Sequence, residues 1–365
     1  MTPLCSAPFY VFSVKPDGFR PCCSRRATPQ SMDSLDEWWN SEYLKNFRKQ
    51  MLSGDVPDDC KKCMASGDTG DHTYSPTMNV VKEVGYNPET GEVAAQPGQI
   101  FYFLGNKCNL ACRTCDNSYS DMFEKMFPEL IIPVRQDYEP YKQHRSDLEH
   151  IIKSNPKQVI LYGGEPFMTR DIYDIVEQVI TRTTATVSFL SNGSVDIEKH
   201  RVFPILRDNA CRITITFSID GSPEVNEKIR VKVKNDLIAK NVALCQRLGI
   251  YCESHFTMSN MNAHDLPDYI EFLYSEFGKQ FRFNIASLEY PVHFVPQLRD
   301  DIDDVRLAYL KYYWNKMMKG EMTADVNKSV LSAIHKMTHP RDLSLLQIYD
   351  TTMTYIDAAI AKKGP

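Results

Sequence analysis

Three cysteines, Cys108, Cys112 and Cys115, share one short segment with the spacing C-x3-C-x2-C. Thiolates at this spacing can bind three irons of a cubane 4Fe-4S cluster and leave the fourth iron without a protein ligand. A closed structural zinc site needs four ligands, and no fourth Cys or His lies close in sequence to this segment. The three residues are therefore candidate metal ligands and catalytic residues, with three structural or zinc-binding cysteines as the alternative.

The number of cysteines and the N-terminal sequence together indicate the cellular compartment of the protein. The chain has 11 cysteines, and its N-terminus lacks the basic region and the apolar core of a secretory signal. No apolar run approaches the ~18 residues that a membrane-spanning helix needs. We therefore expect a cytoplasmic protein in which clustered cysteines bind metal or take part in catalysis instead of pairing. Cys211, Cys245 and Cys252 stand singly in strand or helix patterns and are expected to be buried and inert.

Composition and charge exclude several classes of protein. With 365 residues, 42% of them apolar and 24% charged, the chain is neither disordered nor collagen-like, and it can form one large domain or two smaller ones. Against 42 Lys and Arg stand 47 Asp and Glu, a formal net charge of −5. This balance argues against broad electrostatic binding to nucleic acid or to anionic membranes, although it does not exclude a local basic groove.

Residues 1–75 are predicted to form a small N-terminal module. The strand FYVFSV runs into a Lys-Pro-Asp-Gly turn and returns toward Cys22, which predicts a hairpin with cysteines at its open end. A helix is predicted to follow and to end at Gly54. Its apolar stripe is expected to be core and comprises Leu35, Trp38, Trp39, Tyr43, Leu44, Phe47 and Met51. A module with so little regular structure needs additional stabilisation, so we expect it to contain a metal centre.

Residues 101–290 alternate short apolar runs with helix-length polar segments. The predicted strands are 100–105, 158–163, 185–191, 212–218, 250–257 and 281–287. Strands alternating with helices imply right-handed βαβ units and a parallel sheet. No Gly-rich dinucleotide fingerprint follows the first strand, so we expect an α/β fold of the partial (β/α)6 TIM-like barrel type. Residues 76–100 are predicted to be a linker, and residues 291–365 a helical C-terminal extension.

The cysteine segment follows the first predicted barrel strand, and Gly163-Gly164-Glu165-Pro166 ends the second. Together these motifs resemble the radical S-adenosylmethionine (SAM) superfamily over residues 100–290. The resemblance implies that SAM chelates the open iron and that an electron from the reduced cluster cleaves its sulfonium. The 5'-deoxyadenosyl radical so formed abstracts a hydrogen atom from the substrate. The cluster supplies this chemistry, and the protein supplies orientation and a dry cavity.

The resemblance also implies SAM contacts at the second barrel strand. Gly163 and Gly164 let the backbone approach the methionine moiety of SAM, and the Gly164 carbonyl and Glu165 carboxylate accept from its ammonium group. An ordinary surface carboxylate is the alternative for Glu165. At Thr114 the family usually has an aromatic or large apolar residue, which leaves the adenine contact open.

Later strand ends carry the remaining implied contacts. Ser191 and Asn192 follow the third barrel strand, and Ser218 and Asp220 follow the fourth, where the family contacts the ribose or carboxylate of SAM. Ordinary Asn-Gly and Asp-Gly turns are the alternative. Weaker candidates are His255, Thr257 and Asn284 on the last two strands, and Arg230 near the SAM carboxylate.

The N-terminal cysteines resemble the SPASM or twitch modules that bind an auxiliary 4Fe-4S cluster. Cys5, the run from Asp17 to Cys23, and Cys60-x-x-Cys63 carry the resemblance. It implies the ligands Cys5, Cys22, Cys60 and Cys63. Cys23 competes with Cys22 because the Gly18–Cys22 gap is one residue shorter than usual. A zinc knuckle made by the same four cysteines is the alternative. The module precedes the barrel, an order that resembles phage-encoded twitch-domain radical SAM proteins.

These resemblances imply a radical SAM enzyme whose reductant is a one-electron donor such as flavodoxin or ferredoxin. One expected reaction is an isomerisation or rearrangement of a modified nucleotide during thymidine hypermodification in viral DNA, in the host cytoplasm. A flipped base in a pocket suits this role despite the net negative charge. The alternatives are radical modification of a peptide or protein side chain, and a non-catalytic zinc or Fe-S protein.

Overall fold

The computed structural model describes residues 5–15, 18–22, 35–61, 78–130, 148–287, 301–321, 330 and 346–363. The chain divides into two compact units. The first contains Met1–Gly105, Arg135–Phe189 and Pro204–Ile213, and the second contains Asn106–Val134, Leu190–Phe203 and Thr214–Pro365.

Ten strands are present in the described residues. In chain order they are β1 (Val11–Lys15), β2 (Gly18–Arg20), β3 (Gln99–Phe103), β4 (Ala111–Cys112), β5 (Gln158–Tyr162), β6 (Thr186–Ser191), β7 (Ile213–Ser218), β8 (Arg230–Val231), β9 (Tyr251–Met258) and β10 (Arg282–Ser287). The six predicted barrel strands are β3, β5, β6, β7, β9 and β10, each within three residues of its predicted bounds.

The helices of the same residues are α1 (Ala7–Tyr10), α2 (Leu35–Trp39), α3 (Glu42–Ser53), α4 (Met78–Glu83), α5 (Asp121–Met126), α6 (Ile172–Arg182), α7 (Phe203–Asp208), α8 (Pro223–Ile229), α9 (Asn235–Leu248), α10 (Leu266–Phe277), α11 (Ile302–Met318) and α12 (Leu346–Lys363). Helices α11 and α12 lie where the sequence predicts a helical C-terminal extension. None of the helices described is both long and apolar enough to cross a membrane.

In the first unit, β1 pairs antiparallel with β2 and parallel with β3, and β5 pairs in parallel with both β3 and β6. The predicted N-terminal hairpin is therefore present. Residues 9 and 10, predicted as the start of its first strand, belong instead to α1. Because β1 lies beside β3, the hairpin extends the sheet of this unit. The division of the chain at residues 75 and 100 stays a prediction.

The predicted apolar stripe after the hairpin is buried except for the half-buried Tyr43, but it spans two helices, α2 and α3. Ser41 ends the first run and caps the second, its hydroxyl oxygen accepting from the Leu44 N–H at 3.3 Å. Gly54 ends α3 in the left-handed conformation, with φ 85°. The tryptophans Trp38 and Trp39 are fully buried, as expected for core residues.

In the second unit, β9 pairs in parallel with β7 and with β10. Along β7 the residues Ile213, Ile215 and Phe217 are buried while the residues between them are half-buried, so one face of the strand is core and the other is polar. Helices α9 and α10 connect these strands as the predicted βαβ units require. The α/β class with a parallel sheet is thus confirmed, and such a sheet is typical of the partial barrel that the sequence predicts.

Candidate functional site

The cysteine segment is a loop of the second unit that is held by the first turn of α5. The Asp121 carboxylate accepts from the Cys108 N–H at 2.9 Å, and the Ser120 hydroxyl donates to the Leu110 carbonyl at 2.6 Å. The Asp121 N–H donates to the Asn106 carbonyl at 2.8 Å. The first half of the cysteine loop is therefore fixed by the helix that follows it.

A short antiparallel ladder holds the other side of the loop. Strand β4 pairs with β8, so that Ala111 faces Val231 and Cys112 faces Arg230. Beside the ladder, the Arg113 N–H donates to the Ile229 carbonyl at 2.8 Å. This ladder is difficult to predict from the sequence, because each strand has only two residues.

Asn192 lies against the cysteine loop. Its Nδ2 donates to Asn109 Oδ1 at 2.8 Å and lies 3.8 Å from Cys108 Sγ, while its Oδ1 accepts from the Ser194 N–H at 2.8 Å. Asn109 in turn donates to the Ser194 carbonyl at 3.3 Å. Asn192 therefore contacts the cysteine loop, and the sequence analysis did not predict this contact.

Asp220 and Arg230 form a buried ion pair beside the same loop. Arg230 Nη2 lies 2.7 Å from Asp220 Oδ2, and the two side chains are 13% and 1% exposed. Asp220 Oδ1 accepts from the Thr257 N–H at 2.8 Å, and Arg230 Nη1 lies 4.0 Å from Cys112 Sγ. Burial opposes the charged form of Arg230, but Asp220 and Cys112 outweigh burial and raise its pKa. Arg230 is therefore a buried, paired cation and not a solvated surface arginine.

The environment of the three sulfurs fits an iron-sulfur cluster. Burial raises the pKa of Cys112 to about 12 even though the Arg230 charge opposes it, and burial together with Cys112 raises the pKa of Cys115 well above its usual value. Without metal, the thiols of Cys112 and Cys115 would stay protonated at neutral pH. Donors nevertheless point at the sulfurs: the Leu110 N–H lies 3.5 Å from Cys108 Sγ, besides the contacts from Asn192 and Arg230. Such donors suit metal-bound thiolates.

No three His, Cys, Asp or Glu side chains of the described residues are placed to hold a single metal ion. In a cubane cluster each thiolate binds a different iron, so its ligands need not meet at one ion.

The Gly163-Gly164-Glu165 motif lies in the first unit, after β5. Gly163 has φ 136°, and a Cβ there would lie 2.5 Å from the Gly105 carbonyl oxygen, so only glycine fits this close approach. The Gly164 N–H donates to the same oxygen at 2.7 Å. Glu165 is 1% exposed, and its carboxylate accepts from the Phe167 N–H at 3.1 Å. Glu165 is therefore not an ordinary surface carboxylate.

The two serines predicted to contact SAM are the last residues of β6 and β7. Ser191 is buried, and its hydroxyl accepts from the Gly193 N–H at 3.0 Å in the turn after β6. Ser218 is half-buried at the end of β7 and is the register partner of His255 on β9. Their predicted contacts with SAM stay predictions.

The weaker candidates His255 and Asn284 are register partners on β9 and β10 and are in hydrogen-bond contact, His255 Nδ1 with Asn284 Oδ1. Glu253 joins them, its Oε1 accepting from Asn284 Nδ2 and from the Thr216 hydroxyl at 3.3 Å each. The sequence analysis did not include Glu253 or Thr216. Their signal is the alternation of polar residues on neighbouring parallel strands, which puts them on one face of the sheet.

Of the cysteines predicted for an auxiliary cluster, Cys5 and Cys22 pack on the same small apolar group, Ala7 and Val11. The Ala7 N–H lies 3.5 Å from Cys5 Sγ. Cys60 is half-buried in a single helical turn, Asp58–Cys60. Cys63 and the rival ligand Cys23 lie outside the described residues.

The three single cysteines differ from one another. Cys245 is buried in α9, and Cys252 is half-buried in β9. Cys211 is exposed, contrary to the prediction, because it lies in the short helical turn before β7 and not in the strand.

Comparison with known families covers about half of the chain. Residues 102–273 match the family model described as the radical SAM superfamily. The matched residues are just under half of the chain, and over them the chain is similar to the radical SAM superfamily. They include the three cysteines of the loop, the Gly163-Gly164-Glu165 motif and the Asp220–Arg230 pair. The match supports SAM and a 4Fe-4S cluster as the expected cofactors.

The chain also has a curated relative. Over 175 residues the chain is 26% identical to a pre-heme d1 synthase of Dinoroseobacter shibae, which is 47% of this chain and 39% of that protein. The chain therefore matches well under half the length of this relative.

Two solved structures show similarity over larger parts of the chain. One is anSMEcpe with bound AdoMet, at a TM-score of 0.47 and 11% identity, covering 62% of each chain. The other is Streptococcus suis SuiB bound to S-adenosylmethionine, at a TM-score of 0.46 and 14% identity, covering 79% of this chain and 61% of SuiB.

Proposed function

We propose that this protein is a radical SAM enzyme whose Cys108, Cys112 and Cys115 bind three irons of a 4Fe-4S cluster. When bound, this cluster supplies the electron that cleaves SAM, so that a 5'-deoxyadenosyl radical can abstract a hydrogen atom from the substrate. The observation that carries the proposal is the desolvated cysteine loop of the radical SAM domain, with N–H donors and a guanidinium directed at its sulfurs. The loop's task is to hold three thiolates in a dry, ordered geometry.

The proposed SAM-binding residues are those at the ends of successive parallel strands: Gly163, Gly164, Glu165, Ser191, Asn192, Ser218 and Asp220. Active sites of α/β barrels lie at this end of the strands. Glu165 supports the assignment because its carboxylate is buried just after β5 and is oriented by the Phe167 N–H, and a carboxylate in such a position can accept from the ammonium group of SAM.

Anaerobic reconstitution followed by reduction in the presence of SAM tests the proposal. We expect wild-type protein to form 5'-deoxyadenosine, and the variant with Cys108, Cys112 and Cys115 all changed to Ala to form none. Cys211→Ala is the matched control, because this exposed cysteine lies outside the loop and should leave the yield unchanged. An inactive wild type with full iron content, or an equally active triple variant, would contradict the proposal.

We further infer that residues 1–75 form a twitch or SPASM-like module with an auxiliary 4Fe-4S cluster on Cys5, Cys22, Cys60 and Cys63. Support comes from Cys5 and Cys22, which are far apart in sequence but pack on the same apolar group. Changing both to Ala should lower the iron content from about eight to about four per chain, since each cubane holds four irons. Zinc in place of the lost iron would favour the zinc-knuckle alternative.

For the substrate we propose a modified nucleotide of DNA, rearranged by hydrogen abstraction and radical migration, in a phage-encoded enzyme of the host cytoplasm. The support is the order of the N-terminal module and the barrel, and the electron donor would be a flavodoxin or ferredoxin. Incubation of the reduced enzyme with deuterated modified DNA or deuterated peptides, followed by mass analysis of 5'-deoxyadenosine, tests this. Deuterium arriving only from peptide would replace the DNA proposal by peptide modification.

A further inference from the structure

One positive charge is fixed beside the cysteine loop by the backbone. Arg230 is the register partner of Cys112 in the β4–β8 ladder, and its Nη1 lies 4.0 Å from Cys112 Sγ. The side chain is only 13% exposed, and a guanidinium does not lose its proton in a protein. The charge beside this sulfur is therefore permanent and weakly screened by solvent.

The opposite charge is held just as firmly, one step farther along the network. Asp220 is 2.7 Å from Arg230 Nη2 and 1% exposed, and the Thr257 N–H donates to its other carboxylate oxygen at 2.8 Å. The Nη1 atom of Arg230 lies toward the Cys112 sulfur, and Asp220 pairs with the other terminal nitrogen, Nη2. The network is therefore an ordered dipole with its positive end toward the loop.

Adding an electron to an iron-sulfur cluster adds a negative charge, which a nearby cation stabilises and a nearby anion destabilises. We propose that the Arg230–Asp220 pair sets the reduction potential of the cluster on Cys108, Cys112 and Cys115, Arg230 raising it and Asp220 lowering it. The proposal rests on the proposed function, since it needs the cluster to be present. In this role Arg230 is a positioning residue: it places a positive charge beside the cluster ligands and acts on the cluster through them.

The test is a redox titration of the anaerobically reconstituted protein without SAM, followed by the electron paramagnetic resonance of the reduced cluster. Arg230→Gln should lower the equilibrium constant for one-electron reduction at least about tenfold, which is a shift of about 59 mV to more negative potential. Asp220→Asn keeps the shape of the side chain and should shift the potential in the opposite direction. Arg230→Lys keeps the charge and should change the constant by less than roughly threefold.

Lys228→Gln is the matched control. Lys228 lies two residues before Arg230 and is also paired with a carboxylate, that of Glu224, but it is 67% exposed and screened by solvent. Its removal should leave the potential where it is. An equal shift in Lys228→Gln would overturn the proposal, because it would show a general effect of net charge.

Loosening of the loop alone would not shift the reduction potential in opposite directions in Arg230→Gln and Asp220→Asn. Shifts in the same direction, or no shift in either variant despite wild-type iron content, would overturn the proposal. If Arg230→Gln does not fold, the sign for Asp220→Asn and the retained potential of Arg230→Lys still decide it. A wild type that assembles no cluster would instead contradict the proposed function.

Discussion

The side-chain amide of Asn192 lies 3.8 Å from Cys108 Sγ while donating to Asn109 Oδ1 at 2.8 Å, so one residue joins the end of β6 to the cysteine loop. Its oxygen accepts from the Ser194 N–H, so both polar atoms of the side-chain amide have hydrogen-bond partners. Asn192 is 6% exposed. Such a residue contributes to stability as well as to the predicted cofactor site.

Asn192→Ala should lower the free energy of unfolding of the metal-free protein by about 1–3 kcal/mol, because it leaves buried partners unsatisfied. Denaturant unfolding followed by circular dichroism measures this. Asn315→Ala, at an exposed position of α11, should stay within about 0.5 kcal/mol of wild type. Equal losses in the two variants would show that the Asn192 contacts do not hold the loop.

Gly163→Ala should be strongly destabilising, because the added Cβ would meet the Gly105 carbonyl oxygen at 2.5 Å and the backbone has φ 136°. We expect a loss of more than about 3 kcal/mol, from backbone strain and overpacking together. Gly249→Ala is the control: its φ is 71° but nothing lies within 4 Å of the added Cβ, so only about 1–2 kcal/mol should be lost. Thermal and denaturant unfolding of the pair separate the clash from the strain.

Arg212 closes the end of α6. Its guanidinium donates to the carbonyls of Ile180 and Thr183 at 2.9 Å and to that of Ala185 at 2.7 Å. Arg212→Ala should therefore lower the free energy of unfolding by about 2–3 kcal/mol, since helix-end carbonyls lose a charged donor.

The exposed Arg207, paired with Asp208, is the control for Arg212. Arg207→Ala should change the stability by less than about 0.5 kcal/mol in the same unfolding experiment. A loss at Arg207 as large as that at Arg212 would contradict the assignment of a capping role to Arg212.

Tyr269 predicts a pH dependence of stability. The residue is fully buried, its hydroxyl donates to Ser254 Oγ at 2.6 Å, and burial raises its pKa far above the usual value. Because the folded pKa exceeds the unfolded value of about 10, the stabilisation is complete below pH 10 and is lost as pH rises above it. From this residue alone the loss is about 1.4 kcal/mol per pH unit.

Tyr269→Phe removes this titration. At pH 7 the variant should be less stable than wild type by about 1 kcal/mol, because Ser254 loses its donor. Above pH 10 the difference should shrink and then reverse. Unfolding curves of the two proteins between pH 7 and about pH 11 measure it, and a constant difference would mean that Tyr269 ionises without unfolding.

The sequence predicts the strands of the sheet well because each is a short run of β-branched and aromatic residues next to a helix-length segment. Strand β5 is an example, since Gln158–Tyr162 begins with the predicted run 158–163 and ends one residue before it. The sequence also indicates the cysteine loop, because the spacing of its thiols has few other uses, and the role of the loop as a cluster site stays a prediction.

The second layer of the site is harder to predict. Strands β4 and β8 are two residues long and 118 residues apart, so no periodicity marks them. The contact of Asn192 with Cys108 is hidden in an Asn-Gly pair that predicts an ordinary turn. In the sequence, Arg230 cannot be distinguished from an exposed arginine. Its burial and its pairing with Asp220 appear only in the tertiary structure.

The β4–β8 ladder has a consequence for how the protein is made. A ribosome that has just delivered the three cysteines has not yet translated their ladder partners, because Arg230 follows Cys112 by 118 residues. During that interval the nascent thiols have neither the ladder nor the guanidinium beside them. The ladder and the guanidinium can therefore act on this loop only after translation has passed residue 231.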